Sequence, residues 1–296
     1  MQLEVQEKVS LKNFCTYKTG GQAAYYGVAK SIDEMIGLRN FAHEKQIPFM
    51  ILGGGSNVLF ADEGYPGLII HNRMEAIQFQ GETVTAESGL QLMKLLLVAA
   101  QQNLGGISGL ANVPGTIGGA VYGNAGIPDL WIGNVLTHVL ILPSNSDKPT
   151  VVAPEYFEFA YRESKIKKTK DIVLSVTMKL KQEPSIKIRA EINQYIKERA
   201  LKQPAGNSCG SFFKNPNGFP SAGWLIEQAG CKGIMVGDAQ ISPKHANFIM
   251  NKGSATTADI LAVASKAHQK VQEKFDIFME PEVQIIPHNP FQKNNS

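Results

Sequence analysis

Glycine placement constrains this chain more than any other feature of its sequence. Of 296 residues, 28 are glycine, above the roughly 7% of an average protein, and they concentrate in two clusters. Gly53-Gly54-Gly55-Ser56-Asn57 follows the short apolar run Phe49–Leu52, which reads as a buried strand. Successive backbone N–H groups with no side chains in the way form a concave donor set for phosphate oxygens. A plain glycine turn is the alternative, although three consecutive glycines exceed what a turn needs. The chain has no G-K-[ST], so this is not a Walker loop; Val58 stands where a Rossmann fingerprint needs glycine. The second cluster is Val113-Pro114-Gly115-Thr116-Ile117-Gly118-Gly119-Ala120. Pro114 and Gly115 make a turn, and small residues then open a helix whose first N–H groups and positive dipole end suit an anion. Close helix packing is the alternative there. Two such clusters, about sixty residues apart, suggest one large ligand with a pyrophosphate and a flat ring.

Composition removes whole classes of function. An apolar share of 43% and a charged share of 19% belong to an ordinary folded protein, not a disordered or coiled-coil chain. A formal charge of +3 gives no reason to expect nucleic acid, and Lys165, Lys167, Lys168 and Lys170 read as a solvated turn. The longest apolar run, Leu95 to Ala100, has six residues, against about 18 for a membrane helix. The first residues lack the basic and apolar regions of a signal peptide. Cys15, Cys209 and Cys231 are odd in number and lack C-x-x-C spacing, so neither a disulfide framework nor a metal site is expected. These features fit a cytoplasmic protein.

Three segments are expected. Residues 1–72 read strand, helix, strand, with Ser31-x-x-Glu34 as a capping box and Met35, Leu38, Phe41 and Ala42 on one face. Residues 73–183 hold strands at Glu82–Ala86, Val135–Leu142 and Asp171–Leu180. They also hold a helix opened by a second box, Ser88-x-x-Gln91, and a short helix led by Pro154. Residues 184–290 begin with a helix capped by Ser185, with Ile188, Ile192, Tyr195 and Ile196 as core. Helices follow around Trp224 and over Thr257–Phe275, then a last strand from Phe278 to Ile286. The polar end from Pro287 reads as frayed, with 291–296 as a flexible tail. Strands and helices without strict βαβ alternation predict an α+β fold.

The ordered set of motifs resembles a family. The two glycine clusters with Asn124-Ala-Gly126 look like the FAD-binding domain of the vanillyl-alcohol-oxidase type. Within it the chain is most similar to the UDP-N-acetylenolpyruvoylglucosamine reductases. Supporting pieces are Thr16-Tyr-Lys-Thr-Gly-Gly21, Tyr161-Arg-Glu-Ser164, Gly210-Ser-Phe-Phe-Lys-Asn-Pro216, Ala222-Gly-Trp-Leu-Ile-Glu227, Lys232-Gly233, His245-Ala-Asn-Phe248 and Pro281-Glu-Val283. The short link into the third segment resembles the compact subtype.

The resemblance implies that 1–72 and 73–183 are two FAD-binding subdomains and 184–290 a substrate-binding domain. FAD would be held by Gly53, Gly54, Gly55, Ser56, Asn57, Pro114, Gly115, Thr116, Gly118, Gly119, Ala120 and Asn124. Ser56 stands where covalent members carry histidine, which implies non-covalent FAD. NADPH would be the reductant and a UDP-linked enolpyruvyl sugar the substrate, with UDP-N-acetylmuramate as product. Ser211 would donate the proton, Arg162 would bind the substrate carboxylate or enolate oxygen, and Glu282, in its protonated form, would complete the site. Glu280 is its rival on the same strand face. Lys214, Asn215 and Lys232 would take the sugar and diphosphate. His245 is expected to hydrogen-bond structurally and Tyr161 to pack. Gly123, the segment Ile127–Gly133 and Asp238 depart from the family pattern. Two other readings are a sugar or alcohol oxidase of the same superfamily and a nucleotide-binding protein without turnover.

Overall fold

The computed structural model describes residues 3–128 and 130–291. The chain forms two compact units, one of residues 1–5, 26–54 and 68–199, the other of 6–25, 55–67 and 200–296. The boundary falls inside the first glycine cluster, between Gly54 and Gly55.

The first unit is built on a five-stranded antiparallel sheet in the order Thr150–Val152, Leu136–Leu142, Ile172–Lys179, Thr83–Glu87, Ile77–Gln80. Strand alternation sets its inner face: Val84 and Ala86 lie opposite Met178 and Val176, and all four are fully buried. Helix Leu92–Gln101 adds Leu92, Leu95, Leu96 and Ala99 to the same core. The expected box at Ser88 and Gln91 does not form, because the Ser88 hydroxyl accepts from the Asn72 amide at 2.7 Å and its carbonyl accepts from Gly118. The helix starts at Leu92 with no side-chain cap. Strand Phe49–Leu52 pairs in parallel with Leu68–His71 and delivers the chain to Gly53.

Helix Ile32–Glu44 is capped as the sequence indicates, Ser31 Oγ accepting from Glu34 N at 3.2 Å. The Glu34 carboxylate reaches one residue further back than a capping box requires and accepts from Lys30 N at 2.6 Å. This helix also carries Arg39, only 2% exposed, whose guanidinium donates to the carbonyls of Pro143 and Ser146 and pairs with Asp147. Arg39→Met is therefore expected to strand two carbonyls and cost roughly 2–4 kcal/mol. Denaturant unfolding should show it as a lower midpoint at unchanged slope, whereas a loss below about 0.5 kcal/mol would mean that the 143–147 loop is held by other contacts.

The second unit packs helix Thr257–Phe275 on the antiparallel strands Met235–Val236, Ala239–Ile241 and Ile249–Asn251. The helix opens with a capping box of Thr256 and Asp259, and the Asp62 carboxylate accepts from its next two N–H groups, Thr257 and Ala258, both at 2.9 Å. Strand Val58–Phe60 pairs in parallel with Gln284–Ile286. The expected strand from Phe278 shortens to these last three residues. Pro281 has no N–H for a ladder, and Glu280 and Glu282 pair with the 212–214 loop instead. Two further differences concern packing. Ile196 is exposed, not core. Phe291, expected in the frayed end, is 8% exposed and meets the rings of Phe212, Phe213 and His268; residues 292–296 lie outside the described residues.

Candidate active site

In the first unit the two glycine clusters meet. A Cβ on Gly53 would collide with Thr116 Oγ1, and one on Gly54 would sit 3.1 Å from Gly115 Cα. The Gly53 backbone thus meets the Thr116 side chain and the Gly54 backbone that of Gly115, approaches open to residues without a side chain. Thr116 caps helix Ile117–Tyr122, its Oγ1 accepting from Gly119 N at 3.4 Å. Gly118 lies against Ser88, where an added Cβ would stand 3.0 Å from the Ser88 side chain. Gly54, Pro114 and Gly119 are exposed, whereas Ala120 faces the core. The result is a side-chain-free cradle of main-chain groups, which fits a pyrophosphate and the flat body of FAD.

Asn124 ties two loops together. It is 6% exposed with φ 40°; its amide nitrogen donates to Ala160 O at 3.0 Å and its oxygen accepts from Gly133 N at 3.4 Å. Ala160 opens the tight turn to Glu163, closed by reciprocal backbone bonds of 3.1 Å, and Arg162 sits in that turn at φ 56°. The Ser164 hydroxyl fastens the far side by donating to Tyr122 O at 2.6 Å. Behind the turn, Asp171 accepts from Thr169 and Tyr156 and from Ser144 N. Burial alone would raise its pKa, but these donors outweigh burial and hold it below the usual carboxylate range. The lysine run is only in part the solvated turn expected: Ile166–Thr169 is one helical turn, and Lys165 and Lys167 pair with Glu158 and Glu163. A cavity of about 370 Å³ lies beside the turn, lined by Asn124, Trp131, Gly133, Phe159 and Tyr161 among others. Tyr161 packs, as expected, edge-on against Trp131.

In the second unit the segment that carries Ser211 pairs with the segment that carries Glu282. Phe212, next to Ser211, accepts the Glu282 N–H at 2.8 Å, and Ser211 bridges Phe248. Asn247 holds this segment on three sides. Its carbonyl accepts from Phe212 N at 2.7 Å, and its side chain exchanges bonds of 2.9 and 2.8 Å with Phe213. His245 in turn accepts from Asn247 N at 3.3 Å through Nδ1, and burial lowers its pKa, which favours the neutral acceptor form. The structural role expected for His245 is what its geometry shows. Asn57 donates to the Glu282 carbonyl at 3.1 Å, and Gly55 accepts from Thr16 N at 3.0 Å. Ser56 is half-buried.

The rival Glu280 is exposed and pairs with Lys214 at 2.7 Å, while Glu282 is half-buried. Lys232 pairs with Glu227 at 2.8 Å, and Asn215 accepts from Ala222 N at 3.0 Å. All three cysteines are free. Burial pushes the Cys209 thiol up to about 12, so it is an inert neighbour of the Ser211 loop. Reading the sequence missed Asn247 and Trp131. Asn247 lay inside the quoted His245-Ala-Asn-Phe248 motif, and Trp131 inside a segment noted only as unusual.

Two domain families match the chain: an FAD binding domain over residues 23–140 and a UDP-N-acetylenolpyruvoylglucosamine reductase C-terminal domain over residues 201–286. Reductases of that name are similar along nearly the whole chain. The one from Acaryochloris marina is 37% identical over 96% of this chain and 93% of its own length. The one from Chlamydia muridarum is 38% identical over 97% and 96%. The crystal structure of the Thermus caldophilus reductase matches with a TM-score of 0.82 at 33% identity, covering 97% of this chain and 100% of that one. A glucose oxidase variant of Phl p 4 shares the fold over 61% of the chain, with a TM-score of 0.50 and 14% identity. The expected α+β architecture, an FAD-binding domain and a C-terminal domain, holds. With full-length identity well above a third to curated relatives, the chain belongs to the UDP-N-acetylenolpyruvoylglucosamine reductase family.

Proposed function

We propose that this chain reduces UDP-N-acetylglucosamine enolpyruvate to UDP-N-acetylmuramate with NADPH, for peptidoglycan precursor synthesis, and holds FAD without a covalent bond. The observation that supports this is the pairing of the Ser211 loop with the Glu282 segment, Phe212 O accepting from Glu282 N at 2.8 Å, in a chain of this family. When bound, FAD would supply the redox chemistry, hydride exchange between NADPH and the enolpyruvyl double bond. The protein's task is to bind, orient and move one proton. Gly53, Gly54, Gly115 and Thr116 present main-chain groups to the cofactor. Arg162 binds the substrate carboxylate and the enolate oxygen that develops from it, where a planar fork suits two oxygens. Ser211 donates a proton to the α-carbon, and the Glu282 carboxylic acid donates a hydrogen bond to the same charge. Lys214, Asn215 and Lys232 take the sugar and diphosphate, the lysines exchanging their present carboxylate partners for phosphate oxygens. The division into FAD-binding segments 1–72 and 73–183 and a substrate segment 184–290 follows this assignment. No helix of the described residues is long and apolar enough to cross a membrane; a cytoplasmic location is part of this proposal.

Two assays test the reading. Acid precipitation should release all the yellow colour, and colour kept in the pellet would refute the Ser56 argument. In air, NADPH consumption should require the UDP-enolpyruvyl sugar. Fast consumption with oxygen alone would indicate an oxidase, and a yellow protein with no turnover a binding protein.

A further inference from the structure

The reaction as assigned gives no task to Ile127–Gly133, the segment that departs from the family pattern. In the structure it is a small hairpin. Gly126–Ile127 pairs antiparallel with Leu130–Trp131, Ile127 opposite Leu130 and Gly126 opposite Trp131. Gly126 lets the strands close, since a Cβ there would strike the Leu130 carbonyl. The second strand is fixed at its C-terminal end: Trp131 N–H donates to Asn134 Oδ1 at 2.9 Å and Ile132 N–H to Ala125 O at 2.9 Å. Asn124 then joins the hairpin to the Arg162 turn through Gly133 on one side and Ala160 on the other.

The product of this construction is the place of one ring. The Arg162 guanidinium carbon lies 5.5 Å from the Trp131 ring centroid and 5.6 Å from that of Tyr161, and the two rings stand at 89° to each other. A guanidinium at this distance is attracted to the ring quadrupole, Trp most strongly. Two rings at right angles hold it in a corner. Arg162 also has a left-handed backbone, φ 56°, which a non-glycine residue keeps only where its surroundings fix it.

We infer that Trp131 is a positioning residue for Arg162, holding the guanidinium so that its fork meets the substrate carboxylate. This rests on the assignment of Arg162 to the substrate, so the experiment separates the two. Anaerobic stopped flow on the FAD-loaded enzyme would follow each half-reaction in W131F, W131L, W131A, R162K and R162K/W131A, with substrate affinity measured by calorimetry. W131A and W131L should slow the substrate half-reaction by roughly 3- to 30-fold and weaken substrate binding, while FAD content and the NADPH half-reaction stay as in the wild type. W131F, which keeps a ring face, should recover most of the rate. In the R162K background, W131A should add less than about twofold, because both changes remove one interaction. W131L matching wild type, or single effects that multiply in the double variant, would overturn the inference and leave Arg162 in place. An R162K enzyme with full speed and affinity would overturn the Arg162 assignment and the inference with it. Equal loss of FAD from W131F, W131L and W131A would show Trp131 to be a packing residue only.

Discussion

Ser211→Ala is expected to leave reduction of the bound flavin by NADPH largely intact and to slow its reoxidation by the enolpyruvyl substrate by roughly 10²- to 10⁴-fold. The asymmetry follows from the chemistry, since only the second half-reaction creates a carbon that needs a proton. A serine hydroxyl is a weak acid, but an enolate carbon is basic enough to take its proton. Asn247 fixes Phe212 and Phe213 by three hydrogen bonds, and Phe212 is paired with Glu282, so the backbone next to Ser211 is held by its neighbours. The alanine variant should therefore keep this backbone. Ser211→Cys should recover part of the rate, because a thiol also donates a proton. Slowing confined to the NADPH step would defeat the assignment and make Ser211 a nicotinamide-positioning residue.

Gly53→Val should weaken FAD binding by roughly 10- to 100-fold, the equivalent of about 1.4–3 kcal/mol of overpacking. The new Cβ would meet Thr116 Oγ1, whose hydroxyl caps helix Ile117–Tyr122, so the two clusters would have to separate. Gly54→Leu acts differently: the residue is exposed, and its side chain would cover main-chain groups that face the cofactor. Flavin fluorescence on titration into apo-protein gives both affinities, and circular dichroism checks that the fold is kept. Wild-type affinity in both variants would remove the glycine cradle from the FAD site.

Local chemistry made much of the fold legible. Helix Ile32–Glu44 announces itself by its cap and apolar face, and helix Thr257–Phe275, like strands Thr83–Glu87, Leu136–Leu142 and Ile172–Lys179, lies near where the sequence puts it. What escaped depends on partners distant in the chain. The parallel pairing of Val58–Phe60 with Gln284–Ile286 leaves no local mark. Ser88 has the spacing of a cap, yet its hydroxyl is taken by Asn72. The Phe278–Ile286 run is apolar enough for a strand, but Pro281 breaks its ladder. The site divides in the same way. Glycine clusters are visible because the backbone itself is the functional group; their mutual contact through Gly53 and Thr116 is tertiary. Residue types alone do not distinguish Glu280 from Glu282; their surroundings differ in that the Glu280 carboxylate pairs with Lys214 while the Glu282 N–H meets Phe212 O. Trp131 and Asn247 matter through what they touch, and a sequence does not list contacts.

The most direct test of the account is a two-step anaerobic titration of the purified holoenzyme. One equivalent of NADPH should bleach the flavin absorbance. UDP-N-acetylglucosamine enolpyruvate, added next without oxygen, should restore the colour and give a product heavier by two hydrogen atoms. Colour that stays bleached after substrate, and returns only when oxygen is admitted, would contradict the assigned reaction.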